Sequence, residues 1–519
     1  MKNKVGRELP EYIEGYGAVT PYSGVFEQLR QKPNVGGRAK PVRPGESKLV
    51  PDLSAVIEKV GLKDGMTVSF HHHMRNGDHV VNQVMEAIAA KGIKDICVAA
   101  SGLFAVHEPL VKLMENGVIT PVVTSTFNTG PVAKAITLGK LQKPCIMMTH
   151  GGRPRAIMSG DLHIDVAFIA APTCDTEGNI NGTEGPSACG YLSYAYADAE
   201  YADYVVAVTD HLVPYPACPI EITQEKVDYI VPVASIGDPG GIVSGTTKIT
   251  TDPVRLKIAA GTAELMEQTG MIYEGMSFQT GASSTALAVA ADVRSRMLEK
   301  KITGSFALGG IHAYMVKMLE EGLFRALLDT QCFDLDAVQS AARNKAHMAI
   351  SGSQYANPFT SGPVVNMLDT VILGATEIDV DFNVNVTTGS NGVIMDASGG
   401  HSDCAAGAKL AIVVANLTRK TFCIVRDQVT TVTTPGDTVD ALVTEYGIAI
   451  NPRRADLLEL LKNSDLPLVD IHELKRIGED LVGPQSHAEV TDRIVGVVEY
   501  RDGSVIDLVY QPANKPSNK

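Results

Sequence analysis

From about residue 55 onward, short apolar runs recur at regular intervals. The clearest are Met66–Phe70, Ile96–Ala100, Cys145–Met148, Val166–Ala171 and Tyr204–Val208. None alternates with polar residues, which is the pattern of strands buried on both faces. The segments between them carry helical spacing. In His79–Gly92, Val80, Val84 and Ile88 fall at i, i+4 and i+8, with Asp78 placed to cap the start and Gly92 to stop the end. Further along, Thr285–Met297 and Met315–Glu321 read as helices and Ser305–Leu308 as a strand. The alternation of Val380, Phe382, Val384 and Val386 predicts another strand. Strands alternating with helices predict an α/β protein with mainly parallel sheets flanked by helices.

The pattern repeats. Asp64-Gly-Met-Thr-Val-Ser69 returns as Glu274-Gly-Met-Ser-Phe-Gln279, and Val111-Lys-Leu-Met-Glu-Asn-Gly117 as Val316-Lys-Met-Leu-Glu-Glu-Gly322. A period this long implies two duplicated domains rather than a solenoid. The Gly/Pro cluster Ser235-Ile-Gly-Asp-Pro-Gly-Gly-Ile242 is the natural break. The expected domains are therefore 1–236, with an irregular arm over 1–50, and 237–519. Just past the break, Asp252-Pro253 should open a helix that puts Val254 and Ile258 on one face.

Composition narrows the function. The chain has 519 residues, 45% apolar and 20% charged, enough for more than one core. A net charge of −14 without basic clusters argues against nucleic acid or an anionic membrane surface as partner. The best apolar run, Ala408–Leu417, is too short to cross a bilayer. The N-terminus has no apolar stretch behind its basic residues, so no signal peptide is expected. The eight cysteines form no Cys-x-x-Cys pair, as expected of reduced thiols in a cytoplasmic protein.

Four segments can carry chemistry. Phe70-His-His-His-Met-Arg-Asn-Gly-Asp-His79 follows a strand, where α/β proteins bind ligands. Its histidines lack a completing carboxylate or cysteine at metal-ligand spacing, so no metal is expected. Phe278-Gln-Thr-Gly-Ala-Ser-Ser284 occupies the same place in the second repeat and offers backbone N–H groups to an anion. Leu308-Gly-Gly-Ile-His-Ala-Tyr-Met315 and Asp396-Ala-Ser-Gly-Gly-His-Ser-Asp-Cys404 each pair adjacent glycines with polar residues, allowing close backbone approach to a ligand.

Taken in order, these segments resemble the family I coenzyme A transferases. Gly399-Gly-His-Ser-Asp403 is similar to that family's Gly-Gly-Gln-x-Asp-Phe, Thr444-Glu-Tyr-Gly-Ile-Ala449 matches it directly, and Gly310-Ile-His-Ala-Tyr-Met315 resembles its Gly-Ile-His-(Ser/Thr)-Glu-Met. Asp379-Val-Asp381, Asp165–Pro172, Asp175-x-x-Gly178 and Ala202-Asp203 follow the same order. One position departs: Tyr314 stands where those transferases carry their nucleophilic glutamate. A phenol with a pKa near 10 does not replace a carboxylate at neutral pH. The chain resembles more closely the citrate lyase alpha subunits, through Leu62-Lys-Asp-Gly-Met66, His71–His73 and Ser159-Gly-Asp-Leu-His163.

That resemblance implies two coenzyme A transferase-like domains and a citrate:acyl-carrier-protein transferase. Acetyl-carrier and citrate would give citryl-carrier and acetate through a mixed anhydride, without a covalent enzyme intermediate. The chain itself would hold no cofactor and would act on a coenzyme A-derived thioester borne by the carrier (gamma) subunit. A beta subunit would cleave the citryl thioester, within an oligomeric complex. Tyr314, His312, Gly399, Gly400, His401 and Gly281 are the expected catalytic residues. His72, Arg75, Arg153, Arg155, Ser283 and Asp403 are expected to bind substrate, with Arg75 the first choice because arginine binds carboxylates bidentately. A citramalate lyase alpha subunit, a non-catalytic assembly protein and a hydrolase using metal on His71–His73 are the alternatives.

Overall fold

A computed structural model of the chain describes residues 1–25, 27, 34–37, 46–243, 249–281 and 283–513. Each apolar run of the first half forms a strand, and two more join them: β1 Thr67–Phe70, β2 Ile96–Ala100, β3 Ile119–Thr124, β4 Cys145–Met147, β5 Val166–Ala171, β6 Tyr204–Thr209 and β7 Tyr229–Pro232. They lie side by side, all parallel, as β7-β6-β5-β1-β2-β3-β4. The second half supplies β8 Ser277–Thr280, β9 Gly304–Ile311, β10 Phe324–Cys332, β11 His347–Ala349, β12 Thr370–Leu373, β13 Leu410–Val414, β14 Ala441–Thr444 and β15 Gly447–Ile450. Their order is β11-β10-β9-β8-β12-β13-β14-β15, parallel except for the final hairpin. Numbered within its own sheet, the shared seven-strand layout is 4-3-2-1-5-6-7 in both halves.

The chain then returns to the first sheet. β16 Val490–Glu499 pairs parallel with β4, setting Val497 opposite Ile146, and β17 Val505–Pro512 folds back antiparallel on β16. The expected division, which gave everything after 236 to a second domain, is corrected here: residues 490–512 complete the first sheet. The physical reason is the edge of β4, which would otherwise present unpaired backbone beside an apolar core. The N-terminal arm packs on this hairpin, with Leu9, Ile13 and Val19 against Val497, Val505 and Leu508. Residues 26, 28–33 and 38–45 of the arm, and 514–519 at the C-terminal end, lie outside the described residues.

Local chemistry explains the other boundaries. Helix α1, Val80–Ala90, starts where the Asp78 carboxylate accepts from the N–H groups of Val80 and Val81. Helix α2, Pro253–Gln268, starts at Asp252, whose side chain accepts from Val254 N–H. Ile258 is fully buried, whereas Val254 is exposed, because the first turn projects past the core. The expected strand through Val380–Val386 is instead a tight hairpin: Glu377–Asp379 pairs with Val384–Asn385, and Phe382 turns the chain at φ +64°. One cluster of buried side chains runs through both halves, from Ile169 and Ile180 to Phe278 and Leu327. Burying each such side chain is worth roughly 1.5–3 kcal/mol, which fixes the two sheets against each other. Among the described residues no helix is long and apolar enough to cross a membrane.

Candidate functional site

Both sheets point strand C-termini into one cleft of about 310 Å³. The loop after β1 brings His72 and Arg75. The ends of β8, β9 and β10 bring Gln279–Gly281, Gly310, Thr330, Gln331 and Phe333. Thr126, His150, Tyr194, Tyr355, Asp396 and Gly399–His401 complete the wall. A ligand there touches both halves, the usual arrangement at the carboxyl ends of parallel strands.

The His loop is held from below. Gly77 lies so close to the loop at 237–241 that an added Cβ would fall 1.9 Å from the Asp238 carbonyl oxygen, so only glycine fits. Arg75, at φ +51°, begins this turn. Its guanidinium lies 5.2 Å from the Phe104 ring and 4.8 Å from the Phe333 ring, one from each half. Among the described residues no carboxylate makes an ion pair with it. Burial pushes its pKa down, with Asp396 acting the other way. Among the described residues, Asp396 is the only acidic one in the cleft wall. Its Oδ1 accepts from Thr126 Oγ1 at 2.6 Å and from the N–H groups of Phe127 and Ala397 at 2.8 Å each.

His72 and His150 stack at 5.7 Å between ring centres, and each packs on Tyr194, at 4.8 and 4.9 Å. Gln331 Nε2 donates to the His72 carbonyl at 2.8 Å, fastening the second half to the loop of the first. His150 N–H donates to the Gly399 carbonyl at 2.7 Å, fastening the Gly-Gly loop to the end of β4. Burial pushes His72 well below the usual imidazole range and His150 down to about 3. Both rings are neutral at physiological pH.

The other histidines of the run are structural. Ala170 N–H donates to His71 Nε2 at 3.1 Å, which leaves the His71 proton on Nδ1, 2.6 Å from His73 Nδ1. This relay between the rings occupies the nitrogens that a metal would need. Two clusters elsewhere place three metal-capable atoms together, Asp329/Cys332/His347 and His163/Asp165/Asp203. Neither lines the cleft, and in the first the carboxylate already holds His347 Nε2 and the Cys332 thiol, each at 3.1 Å.

Half of the expected site residues reach the cleft: His72, Arg75, Gly281, Gly399, Gly400 and His401. For three of them, Gly399, Gly281 and His401, the expected catalytic group is already engaged within the protein. Gly399 N–H is already given to the Ser125 carbonyl at 2.9 Å, and Gly281 N–H to Ile372 at 3.3 Å. Gly400 N–H has no protein acceptor among the described residues and remains the candidate oxyanion donor. Gly400 packs on the Tyr355 hydroxyl, 2.4 Å from where a Cβ would stand. His401 bonds through both ring nitrogens, Nδ1 to Thr434 Oγ1 at 2.7 Å and Nε2 to the Gly374 carbonyl at 2.8 Å, so it braces the wall.

The remaining six do not line the cleft. Arg153 is fully buried and bidentate on Asp198, at 2.8 and 2.9 Å. Arg155 pairs with Asp161 at 2.5 Å and faces Glu499 at 3.9 Å. Asp403 accepts from Thr149 Oγ1 at 2.9 Å and Gly151 N–H at 2.8 Å, locking the two glycine loops together. Ser283 is exposed and caps the helix Ser284–Lys300 through Ala286 N–H at 3.1 Å. His312 precedes the helix Ala313–Glu320; its Nε2 is buried without a partner among the described residues. Tyr314, the second residue of that helix, lines a separate cavity with Lys317 and Arg343 and interacts with Arg294.

His150, Tyr194, Gln331, Phe104 and Phe333 were not among the expected site residues, and Asp396 was marked only through its segment. His150 adjoins the glycines of Thr149-His-Gly-Gly152, a signal that could have been used. The aromatic residues give no local signal, because their role depends on which loops meet.

Two parallel sheets joined across a cleft lined by an unpaired arginine, neutral imidazoles and glycine loops form a mixed α/β architecture consistent with coenzyme A transferase-like proteins. Sequence comparison is more specific. The profile of the family described as "Citrate lyase, alpha subunit (CitF)" matches residues 46–512. The citrate lyase alpha chain of Haemophilus influenzae is 49% identical over 466 residues, covering 90% of this chain and 93% of that one. That of Klebsiella pneumoniae is 45% identical over 514 residues, 99% of this chain and 100% of that one. A crystal structure of the putative alpha subunit of citrate lyase from Streptococcus mutans, in complex with citrate, superposes with a TM-score of 0.95 at 46% identity, covering 99% and 100% of the two chains. The chain belongs to the citrate lyase alpha-subunit family, and its function is that of the citrate lyase alpha subunit.

Proposed function

We propose that this subunit exchanges acetate for citrate on a thioester carried by a separate acyl-carrier chain. A citrate carboxylate oxygen attacks the acetyl carbonyl carbon, the C–S bond breaks, and the carrier sulfur leaves as thiolate. The thiolate then attacks the citryl carbonyl of the mixed anhydride, the C–O bond breaks, and acetate departs. One thioester replaces another, so no external energy source is required. The cleft's task is to hold the reacting atoms at about 3–3.5 Å and to exclude water from the anhydride. In this reading Gly400 N–H donates to the oxyanion of each tetrahedral intermediate.

The observation that carries this reading is the inventory of the cleft. It offers a cation with no carboxylate of its own, Arg75, and only one acidic side chain, Asp396, whose Oδ1 is tied by three hydrogen bonds. This inventory supports a substrate carboxylate as the oxygen that captures the acyl group. Tyr314, which lines a separate cavity, takes no part in this step. A single-turnover assay with acetyl-carrier and citrate tests the reaction, and citramalate in parallel tests the choice of acid. Intact mass after acetyl-carrier alone should show no added group; a glutamyl or aspartyl thioester on the chain would rule the mechanism out.

The shared strand order of the two sheets supports an origin by duplication. The eight free cysteines, all but two of them buried, suit the reducing cytoplasm. The carrier and a citryl-cleaving beta subunit are the partners this chemistry requires, in an oligomeric complex. No cofactor is assigned to this chain.

A further inference from the structure

Hydrogen bonding fixes opposite tautomers in the two imidazoles that face the cleft. Ser125 Oγ lies 2.7 Å from the Ser101 carbonyl oxygen, which can only accept, so the Ser125 proton is committed there. His150 Nδ1, 2.9 Å from the same hydroxyl, must then donate to it. The single proton of the neutral ring is on Nδ1, and Nε2 carries a lone pair. His72 is arranged the other way. Its backbone N–H donates to Ser101 Oγ at 3.0 Å, and its Nδ1 lies 2.7 Å from that oxygen. Ser101 is fully buried, and its hydroxyl proton has no other acceptor among the described residues. A buried hydroxyl proton left unpaired is costly, so it goes to His72 Nδ1 and the His72 ring proton sits on Nε2. Neither Nε2 has a protein partner among the described residues, and both rings share the cleft wall with Arg75.

A carboxylate can only accept hydrogen bonds, and an aliphatic hydroxyl can donate one. We propose that Arg75, His72 and His150 together read a hydroxycarboxylate: Arg75 and His72 Nε2–H donate to the carboxylate, and His150 Nε2 accepts from the hydroxyl on the adjoining carbon. A second carboxylate placed against the His150 lone pair would be repelled. Citrate carries a hydroxyl and a carboxylate on its central carbon, and so docks by that carbon and leaves an outer carboxyl arm free for the thioester. This assignment rests on the functional reading above and adds the group by which the acid is chosen.

Calorimetric titration of the full chain with citrate and with propane-1,2,3-tricarboxylate, which lacks only the hydroxyl, tests it. The wild-type chain should bind citrate at least about 30-fold more tightly, because the analogue leaves a buried acceptor unpaired. His150→Phe keeps an aromatic ring against Tyr194 and removes the acceptor. The ratio should then fall to within about threefold, as citrate loses its acceptor and the analogue no longer buries an unpaired one. His72→Phe should weaken both acids alike. A wild-type ratio near one, or a His150→Phe variant that keeps the wild-type ratio, overturns the assignment. The wild-type ratio decides even if the variant does not fold. Wild-type protein that binds neither acid overturns the functional reading itself, and the assignment with it.

Discussion

Arg153 and Arg75 belong to the same half of the molecule and show how differently one residue type is used. Arg153, on the helix Gly152–Met158, is 2% exposed, and its guanidinium is consumed by the Asp198 carboxylate, Ser69 Oγ and the Ala99 carbonyl. Arg75 has two phenyl rings beside it and opens onto the cleft. A cation removed from water needs an anion. The chain supplies one to Arg153. Among the described residues none pairs with Arg75, and under the proposed function its anion is the carboxylate of the incoming acid.

Substitution should separate the two roles. Arg153→Met leaves Asp198 buried and unpaired, which should cost about 3–5 kcal/mol of stability, read as a large fall in Tm with or without citrate. Should Tm hold while citrate affinity drops, the comparison would be inverted. Arg75→Gln is expected to lose a charge-assisted contact worth about 1.5–3 kcal/mol, a roughly 10- to 150-fold rise in the citrate Kd. Its Tm in the absence of ligand should stay close to wild type.

A smaller effect concerns His401, whose folded pKa is pushed down to about 4 by burial. The unfolded ring titrates near 6.5. As pH falls from 6.5 toward 4, the unfolded chain takes up a proton that the folded ring refuses, so this group subtracts stability, by at most about 1.4 kcal/mol per pH unit. Thermal unfolding of wild type and His401→Asn at pH 7 and pH 5 should show the wild type losing more on acidification. An equal loss would mean the ring does not stay neutral in the fold. The smallest effect is expected at Tyr314. Tyr314→Phe should leave single-turnover transfer within about twofold, since the side chain lines another cavity; a loss of a hundredfold would return it to the reaction.

The fold was largely legible because its signals are local. The unbroken apolar runs at Ile96–Ala100 and Val166–Ala171 became central strands with those bounds, and Asp78 and Asp252 capped the helices they precede. The candidate site was legible only at its loops. The segments after β1, β8, β9 and at 396–404 all reach the cleft, since strand ends and glycine pairs mark where backbone can meet a ligand. Side-chain roles were misjudged wherever a distant partner decided them. Asp198, 45 residues away, takes Arg153 out of the site, and Thr149, more than 250 residues away, does the same for Asp403.

By itself, the order of residues along this chain determined the strands, the capped helices, the duplicated pattern and the family to which the motifs belong, because each of these depends on near neighbours or on ordered short matches. Tertiary structure alone decided that residues 490–512 close the first sheet, that Phe104 and Phe333 from opposite halves enclose Arg75, and that buried serines set the two cleft imidazoles in opposite tautomers. Those outcomes depend on which groups meet across the fold and lose water together, and sequence spacing carries no record of such meetings.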